Sequence, residues 1–555
     1  MVKRFFNLLH REVRGLHEAA YLLGFFAVFS QILALVRDRL LTGKFGAGEI
    51  LDIYYAAFRI PDFIFVSIAS IVSLSVLIPF LTERVNSSED KGRQFIGNIF
   101  VFFSFSILSV SIAAFILTPE LLKVFVPGLA QAALYDELVV LTRLLLLQPI
   151  FLGLSSLFAS VVHVYQRFVV YAISPLLYNV GIILGVLFFY PAVGIIGLGY
   201  GVVLGAFFHM LLQLSFIVKK GFLPRFPFRF NISEIKQVVI LSFPRTLALS
   251  SSQISFIFLI ALASFMAEGS IAVFSLSFNL QSVPLAIIGV SYSVAAFPTL
   301  ARLYSNGQRD TFFTHMTMAA RYIIFWSLPS IVLFIVLRAQ IVRVILGSGE
   351  FTWADTRLTA AALALFSVSI LAQSLVLLFV RGYYAAGKTV KPLMVNVFSS
   401  LLMVIFSFAF IALFKNAPIF QYFVESLLRV EGIAGTSILM LPLAYSLAFL
   451  INAFLFWYLF QQDFKKFSAT LARTFFESLS AAVIMGIAIH LFLDVFDNVF
   501  NLDTFLGIFA QGLISGILGI IVGIIVLKLL SNKEIDEVWR SFHNKFWKTK
   551  VISSE

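Results

Sequence analysis

Long apolar stretches recur from one end of the chain to the other, separated by short polar segments. Each stretch has about 20 residues, the length an α-helix needs to cross ~30 Å of hydrocarbon. The strict apolar–polar alternation of membrane β-barrel strands is not the pattern here. The sequence therefore predicts an all-α polytopic membrane protein with fourteen spans, near residues 20–42, 60–82, 94–118, 138–163, 167–189, 193–218, 237–265, 270–300, 313–337, 357–380, 391–414, 434–460, 470–493 and 504–529.

Three amphipathic segments lie outside these spans. Residues 1–18 carry apolar side chains on one helical face and basic side chains on the other, which predicts a helix on the cytoplasmic membrane surface. A signal peptide is the rival interpretation, but no small-residue cleavage site follows. Residues 417–431 predict a surface helix on the outer side, and residues 535–547 predict another on the cytoplasmic side.

Composition and charge narrow the class further. Of the 555 residues, 60% are hydrophobic and 12% are charged, whereas a soluble domain has about 25% charged residues. The chain has no cysteine, which excludes disulfides and thiol chemistry. The net charge of +12 would suit nucleic acid, but the basic residues concentrate in alternate loops and both tails. That distribution is topogenic, so we expect no nucleic-acid partner and place both termini in the cytoplasm.

The segment 35–61 interrupts the apolar pattern with charges. Five charged side chains lie around and between the first two spans: Arg37, Asp38, Arg39, Asp52 and Arg59. A charge at the centre of a bilayer helix costs at least ~2.5–3.5 kcal/mol, so such a group indicates a polar cavity and therefore a cargo. We expect Arg37 to face the cavity, the alternative being an ion pair with Asp38 or Asp52. The other four are predicted to gate the cavity or to form structural ion pairs.

Two short motifs recur at nearly the same spacing. SVLIPFLTE at 75–83 resembles SVAAFPTLAR at 293–302, and PLLYN at 175–179 resembles PLMVN at 392–396. The offsets are 298 − 79 = 219 for the prolines of the first pair and 392 − 175 = 217 for the second. An offset of this size covers six spans. The sequence therefore predicts two parallel six-helix repeats, a transporter plan that places cargo between the halves.

Spans and repeat together predict the organisation of the chain. The predicted parts are a cytoplasmic interfacial helix at 1–18, an N-lobe of spans 1–6 at 19–219, a cytoplasmic linker at 220–236, a C-lobe of spans 7–11 at 237–416, an outer interfacial helix at 417–431, span 12 at 432–465, spans 13 and 14 at 466–530, and a cytoplasmic basic tail at 531–555.

The charged block also carries a family resemblance. AxVRDxxL, followed by FGAG, Asp52 and AFRIPD, resembles the MviN/MurJ family of lipid II flippases, as do GSGEFTWADT at 347–356 and RGYYAAGKTVKP at 381–392. The resemblance implies the multidrug/oligosaccharidyl-lipid/polysaccharide exporter architecture, with two lobes around a cationic cavity and spans 13–14 edging a groove for a polyprenyl tail. It implies alternating-access transport of the lipid-linked peptidoglycan precursor to the outer leaflet of a bacterial cytoplasmic membrane, for cell-wall biogenesis and cell shape.

The sequence departs from this family's pattern at several cavity positions. Gln31, Phe65 and Asn279 stand where the resemblance leads us to expect arginines. We expect Arg245 to supply a second cation opposite Arg37, because arginine is a strong phosphate ligand. The predicted substrate-binding residues are Arg37, Arg245, Ser30, Gln31, Gln253, Asn279 and Gln281. The alternatives are a topogenic role for Arg245 and interhelical hydrogen bonds for the two polar residues of span 8.

The missing arginines also leave other cargoes open. The alternatives are another polyprenyl-diphosphate-linked glycan, or drug export coupled to a cation by a protein of the same fold. The histidines show no metal-ligand spacing, no Walker A motif is present, and GLGYG at 197–201 lies inside a span where small residues serve helix contact. We expect a secondary transporter without a cofactor, coupled to membrane potential or a monovalent cation. Its expected partners are the polyprenyl-diphosphate-linked glycolipid and membrane phospholipids, and a monomer is the expected state.

Overall fold

The computed structural model of the protein describes residues 16–69, 74–223, 231–464 and 469–546. Within these ranges the regular structure is helical, and each of the fourteen predicted spans falls on a helical segment. Ten segments in the described ranges are long and apolar enough to cross a membrane singly. The pair Trp353–Ser367 and Ile370–Ala385, bent by 41°, passes the same test together. The predicted all-α polytopic class is confirmed.

The chain forms two compact units. The first comprises residues 1–275 and 345–352, and the second comprises residues 276–344 and 353–555. Most of the predicted surface helix at 1–18 and part of the predicted linker, residues 224–230, lie outside the described residues.

Twelve helices lie wholly within the described part of the first unit. They are α1 (Leu16–Phe45), α2 (Glu49–Ala57), α3 (Arg59–Ile64), α4 (Leu74–Ser87), α5 (Glu89–Ile116), α6 (Thr118–Phe125), α7 (Tyr135–Leu145), α8 (Leu147–Val164), α9 (Phe168–Leu184), α10 (Tyr190–Val193), α11 (Ile195–Lys219) and α12 (Ile232–Ala263). The unit also contains the start of α13 (Ser270–Leu285).

A helix that the sequence does not predict precedes span 2. It is α2, which starts at Glu49, 60 − 49 = 11 residues before the predicted start of the span. The charges made this stretch look like a loop, but Asp52 is only 4% exposed and Arg59 only 7%. Both side chains have partners inside the fold, which is what allows charged residues to continue a membrane helix.

Glycines bring α9, together with the π-helix Gly185–Phe189 that continues it, into close contact with α11. A Cβ atom on Gly201 would lie 2.4 Å from the Cα of Gly185, and one on Gly181 would lie 2.3 Å from the Cα of Gly205. Backbones can approach this closely only where both helices present small residues. The glycines of GLGYG therefore serve helix packing, as predicted.

Eleven further helices belong to the second unit in whole or in large part. They are α14 (Ser291–Ser305), α15 (Arg309–Val336), α16 (Arg338–Leu346), α17 (Trp353–Ser367), α18 (Ile370–Ala385), α19 (Val390–Asn416), α20 (Pro418–Leu428), α21 (Met440–Phe464), α22 (Ala469–Asp497), α23 (Phe505–Leu529) and α24 (Lys533–Phe546). An aromatic core that includes Phe379, Tyr383, Phe456 and Phe460 holds α18 to α21.

Three π-helices lie in the described residues. Gly185–Phe189 follows α9 in span 5, and the other two interrupt spans 2 and 8. The first of these two covers Phe65–Ala69 and the second covers Ala286–Val290. Each comes shortly after a proline, Pro61 or Pro284, and the two starts are 286 − 65 = 221 residues apart, close to the repeat offset. A π-turn inside a membrane helix bends the helix and rotates its remaining turns. The interruptions therefore fall at equivalent places of the two repeats.

Candidate functional site

Arg37 forms an ion pair with its neighbour in α1. Its Nε and Nη2 donate to Oδ1 of Asp38 at 2.8 and 2.7 Å. The arginine side chain is 18% exposed and the aspartate side chain 3%. Of the two partners that the sequence allowed, Asp38 is the one that pairs with Arg37. The pair balances a charge inside a membrane helix, which lowers the cost of burying the guanidinium.

Asn179, from α9, completes this group. Its Oδ1 accepts from Arg37 Nη1 at 3.0 Å, and its Nδ2 donates to Ser30 Oγ at 3.5 Å. Three of the five guanidinium N–H groups are thus used. Asn179 was not among the predicted site residues, although its repetition as Asn396 in the PLMVN motif was an available signal. We call Ser30, Arg37, Asp38 and Asn179 the arginine cluster.

Asp52 caps the start of α13. Its Oδ2 accepts from the N–H of Gly269 and its Oδ1 from the N–H of Ala272, both at 2.7 Å. A carboxylate at this place satisfies N–H groups that have no partner within the helix, and it meets the positive end of the helix dipole. Asp52 therefore acts as an N-cap supplied by another helix, and backbone N–H groups, rather than an arginine, are its hydrogen-bond donors.

The carboxylate of Glu268 caps the start of α2. The N–H of Glu49 donates to Oε1 of Glu268 at 3.0 Å, so each of the two helix starts receives a carboxylate from the segment of the other. Gly269, at φ +82°, allows this close approach, because a Cβ there would lie 1.9 Å from the carbonyl oxygen of Ala47. We call Glu49, Asp52, Glu268, Gly269 and Ala272 the capping cluster.

Two further contacts hold the same end of the first unit. Thr42, near the end of α1, donates to the carbonyl oxygen of Leu346 at 2.7 Å. The N–H of Gly128 donates to Oγ of Ser264, just after α12, at 3.0 Å. In both cases a side-chain hydroxyl near the end of a long helix bonds to a backbone group of another segment, so that backbone group is satisfied within the protein.

The other charged residues of the opening block are tied to backbone carbonyls. Arg39 donates to the carbonyl oxygen of Ile345 at 3.5 Å. Arg59 donates through Nε to the carbonyl oxygen of Tyr55 at 2.9 Å, and its guanidinium lies 5.2 Å from the ring centre of Phe256. The predicted gating or ion-pair role of the two arginines stays a prediction.

The remaining predicted residues lie in several places. Gln31, Phe65 and Gln253 are half-buried in the first unit, and Asn279 is half-buried in the second. The side chain of Arg245 lies outside the described residues.

Gln281, also predicted to bind substrate, lies in the interior of the second unit. It is 0% exposed and accepts from Nε2 of Gln373 at 3.3 Å. Gln373 in turn accepts from the hydroxyl of Tyr445 at 3.0 Å. This is the interhelical hydrogen bonding that the sequence allowed as the alternative. The substrate-binding role of the predicted set stays a prediction.

Comparisons with known proteins agree with this architecture. The family model described as "Lipid II flippase MurJ" matches residues 42–511. A protein of Buchnera aphidicola described as a probable lipid II flippase MurJ is 28% identical over 398 residues, which is 71% of this chain and 78% of that protein.

Solved structures share the fold. One described as lipid II flippase MurJ in an inward closed conformation covers 94% of this chain and 100% of its own, with 23% identity and a TM-score of 0.72. An inward-facing multidrug resistance MATE family transporter of the MOP superfamily covers 79% of this chain and 96% of its own, with 14% identity and a TM-score of 0.64. The predicted exporter architecture is confirmed. Because the family model covers most of its length, this chain belongs to the lipid II flippase MurJ family.

Proposed function

We propose that this protein moves lipid II from the inner to the outer leaflet of a bacterial cytoplasmic membrane. The observation that carries the proposal is the family match over residues 42–511, which includes the capping cluster and most of the spans. The head group of lipid II is an anionic diphosphate that carries sugars and a peptide, and it cannot cross hydrocarbon unaided. A protein path with a fixed cation and a lateral opening for the polyprenyl tail removes that barrier.

Arg37 is the proposed phosphate ligand. Its guanidinium is held by Asp38, and the hydrogen bond to Asn179 can be exchanged for one to a phosphate oxygen. Arginine remains charged in the membrane and presents a planar fork of donors to phosphate. The carboxylate of Asp38 balances the charge when no substrate is bound. Arg245 is proposed as the second cation, with polar support from Ser30, Gln31, Gln253 and Asn279.

The capping cluster is proposed to keep the outer end closed while the head group enters from the cytoplasm. Opening that end would break the hydrogen bonds of Asp52 and Glu268 to two helix starts. Phosphate binding at Arg37, in the helix that leads directly into this end, would shift the balance between the two states. We propose that membrane potential or a monovalent cation resets the cycle and that no nucleotide is hydrolysed.

Topology and assembly complete the proposal. The basic loops after spans 2, 6 and 12 favour cytoplasmic positions for both termini. Spans 13 and 14 are proposed to edge the groove for the polyprenyl tail, because they lie outside the two six-helix repeats. The protein is proposed to act as a monomer.

Depletion of the protein in its native cell tests the main proposal. A fluorescent glycopeptide that binds the pentapeptide of lipid II and does not cross membranes reports lipid II in the outer leaflet. We expect this signal to fall on depletion, to return with the wild-type gene, and to stay low with Arg37→Ala. An unchanged signal after complete depletion would overturn the proposal.

The departures at Gln31, Phe65 and Asn279 favour a second candidate cargo, another polyprenyl-diphosphate-linked glycan. Native mass spectrometry of the purified protein separates the two. A retained lipid with the mass of lipid II supports the first, and a different glycan mass on the same polyprenyl diphosphate supports the second. Drug export remains the third candidate, and transport of a cationic dye that Arg37→Ala leaves intact would support it.

A further inference from the structure

An apolar groove lies on the first unit, away from both clusters. It has a volume of about 520 Å³ and runs between α5, the α7–α8 pair and α11. This size is within the ~300–1,000 Å³ of sites that hold small ligands. Most of its wall is aliphatic or aromatic, and Ile112, Leu147 and Tyr200 on that wall are each more than 40% exposed. The groove therefore opens sideways to the surface that faces the lipid.

Arg143 places a positive charge at one end of this groove. Its Nε donates to the carbonyl oxygen of Phe115 at 3.1 Å, and its guanidinium lies 5.0 Å from the centre of the ring of Phe115. Phe115 is next to the last residue of α5, so Arg143 also meets the negative end of that helix dipole. This contact uses one of five N–H groups. In the described part of the chain, the four Nη N–H groups have no hydrogen-bond partner.

Ser111 adds a polar point deeper in the groove. Its hydroxyl is buried and has no hydrogen-bond partner among the described residues, although a serine in a helix commonly donates to the carbonyl four residues back. It stands four residues before Phe115 in α5, which puts it about 6 Å further into the membrane at a rise of ~1.5 Å per residue. The oxygen has less than 1 Å² of accessible surface, so the side chain must rotate about χ1 before a molecule in the groove can accept a hydrogen bond from it.

We propose that this groove binds a glycerophospholipid of the leaflet at the C-terminal end of α5, which is the outer leaflet in the topology proposed above. The phosphate lies on the free Nη groups of Arg143, Ser111 turns its hydroxyl into the groove and donates to an ester carbonyl, and one acyl chain follows the apolar wall. The depth order fits this lipid class, because in a glycerophospholipid the ester carbonyls lie just below the phosphate. A polyprenyl phosphate has no carbonyl at that depth, so Ser111 favours the glycerolipid. The site is separate from the lipid II path proposed above and does not depend on it.

Native mass spectrometry with added phosphatidylglycerol tests the proposal on the full chain in detergent. We expect Arg143→Gln to weaken binding about tenfold, which is the loss of one strong charge-assisted contact. Ser111→Ala should weaken it about threefold. Lys123→Ala is the matched control, because Lys123 is a basic residue in the neighbouring α6 that is 53% exposed and pairs with Glu120, outside the groove. This control should bind as wild type.

A second variant separates lost binding from a damaged helix end. Ile112→Trp fills the groove and leaves Arg143 and Phe115 in place, and we expect it also to weaken binding about tenfold while the melting temperature is kept. Equal phosphatidylglycerol binding by wild type, Arg143→Gln and Ile112→Trp would overturn the proposal. Complete displacement of phosphatidylglycerol by equimolar undecaprenyl phosphate would also overturn it, in favour of a polyprenyl occupant.

Discussion

The N–H of Glu49 donates to the carboxylate of Glu268 at a distance of 3.0 Å, and the two residues are 219 positions apart in the chain. The same spacing separates Pro79 from Pro298 in the internal repeat. A spacing inferred from two short motifs is thus found again as a direct contact between two helix starts.

Removing the Asp52 carboxylate should favour opening at this end. Loss of an N-cap costs about 1 kcal/mol, enough to change the ratio of two states about fivefold. Because the chain has no cysteine, Gln31→Cys gives a single label site in the half-buried part of α1. We expect Asp52→Ala to raise its labelling by a membrane-impermeant maleimide, added from outside, about fivefold.

Glu49→Gln is the matched control for Asp52→Ala. Glu49 takes part in the capping cluster through its backbone N–H, so its side chain can change without loss of the hydrogen bond. With the Gln31→Cys label site present, Glu49→Gln should be labelled at the same rate as the protein that carries Gln31→Cys alone. If Asp52→Ala and Glu49→Gln label alike, the cap does not hold this end closed.

The ion pair of Arg37 and Asp38 should show strong coupling. Asp38→Asn leaves the guanidinium without a counter-charge, and a hydrogen bond to a charged group is worth about 1.5–3 kcal/mol. We expect Asp38→Asn to lower the melting temperature more than the double variant Arg37→Gln with Asp38→Asn, measured in detergent. A double variant at least as unstable as the two single losses added together would show that the pair is not coupled.

A transport assay of Arg37→Lys should show whether the charge of residue 37 or the planar geometry of its donors is needed. Arg37→Lys keeps the charge but loses the fork of donors that a phosphate matches. Compared with Arg37→Ala, we expect Arg37→Lys to recover part of the lost melting temperature. It should recover little of the lipid II signal in the outer leaflet. Full transport by Arg37→Lys would mean that a point charge suffices.

The contact between α9 and α11 should not tolerate a larger residue. Gly201→Val places a side chain where Gly185 now lies, and overpacking of this kind costs about 1–3 kcal/mol. We expect a lower melting temperature and less folded protein on size-exclusion chromatography. Gly24→Val is the control, because a Cβ on Gly24 has no atom within 4 Å. Equal stability of the two variants would contradict the close packing.

The C-terminal helix α24 should be released at acidic pH. Glu534, 2% exposed, accepts from Arg321 Nε at 2.6 Å and from Thr474 Oγ1 at 2.8 Å. Burial by itself raises the pKa of the Glu534 carboxyl, but these hydrogen bonds outweigh burial and hold its pKa below the ordinary 4.5. Since the pKa is lower in the docked state, the contribution of Glu534 to docking is fully present at neutral pH. It declines as pH falls from the ordinary pKa of 4.5 through the lower pKa of the docked carboxyl.

Hydrogen exchange of α24 at a series of pH values measures this release. Glu534→Gln should weaken docking at neutral pH and remove most of its pH dependence. Asp536→Asn is the matched control, because Asp536 is an exposed acid of the same helix. Equal pH profiles for wild type and Glu534→Gln would show that another group controls docking.

The sequence predicted the class and the spans because apolar length is a strong signal. The sequence gives a weaker signal about the direction in which a single polar side chain points. Gln281 was predicted to bind substrate and is buried against Gln373. The polar residues of α13 are spread around the helix, so its periodicity marks no polar face and does not show which of them point inward. The helix from Glu49 to Ala57 was missed because the sequence does not show whether a charged residue is buried with partners or exposed in a loop. Asn179 was overlooked because its role depends on a contact with α1, 142 residues away.

The π-helices at Phe65–Ala69 and Ala286–Val290 bear on the history of the chain. A π-turn arises when one residue is inserted into an α-helix, and the insertion shifts the register of every later residue in that helix. Two independent insertions at matching places in two lobes would require a coincidence. The more economical account is that a single-lobe ancestor already carried the insertion and passed it to both copies. On this account the paired turns are older than the duplication, whereas the π-helix Gly185–Phe189, which has no counterpart in the uninterrupted helix Val390–Asn416, is younger.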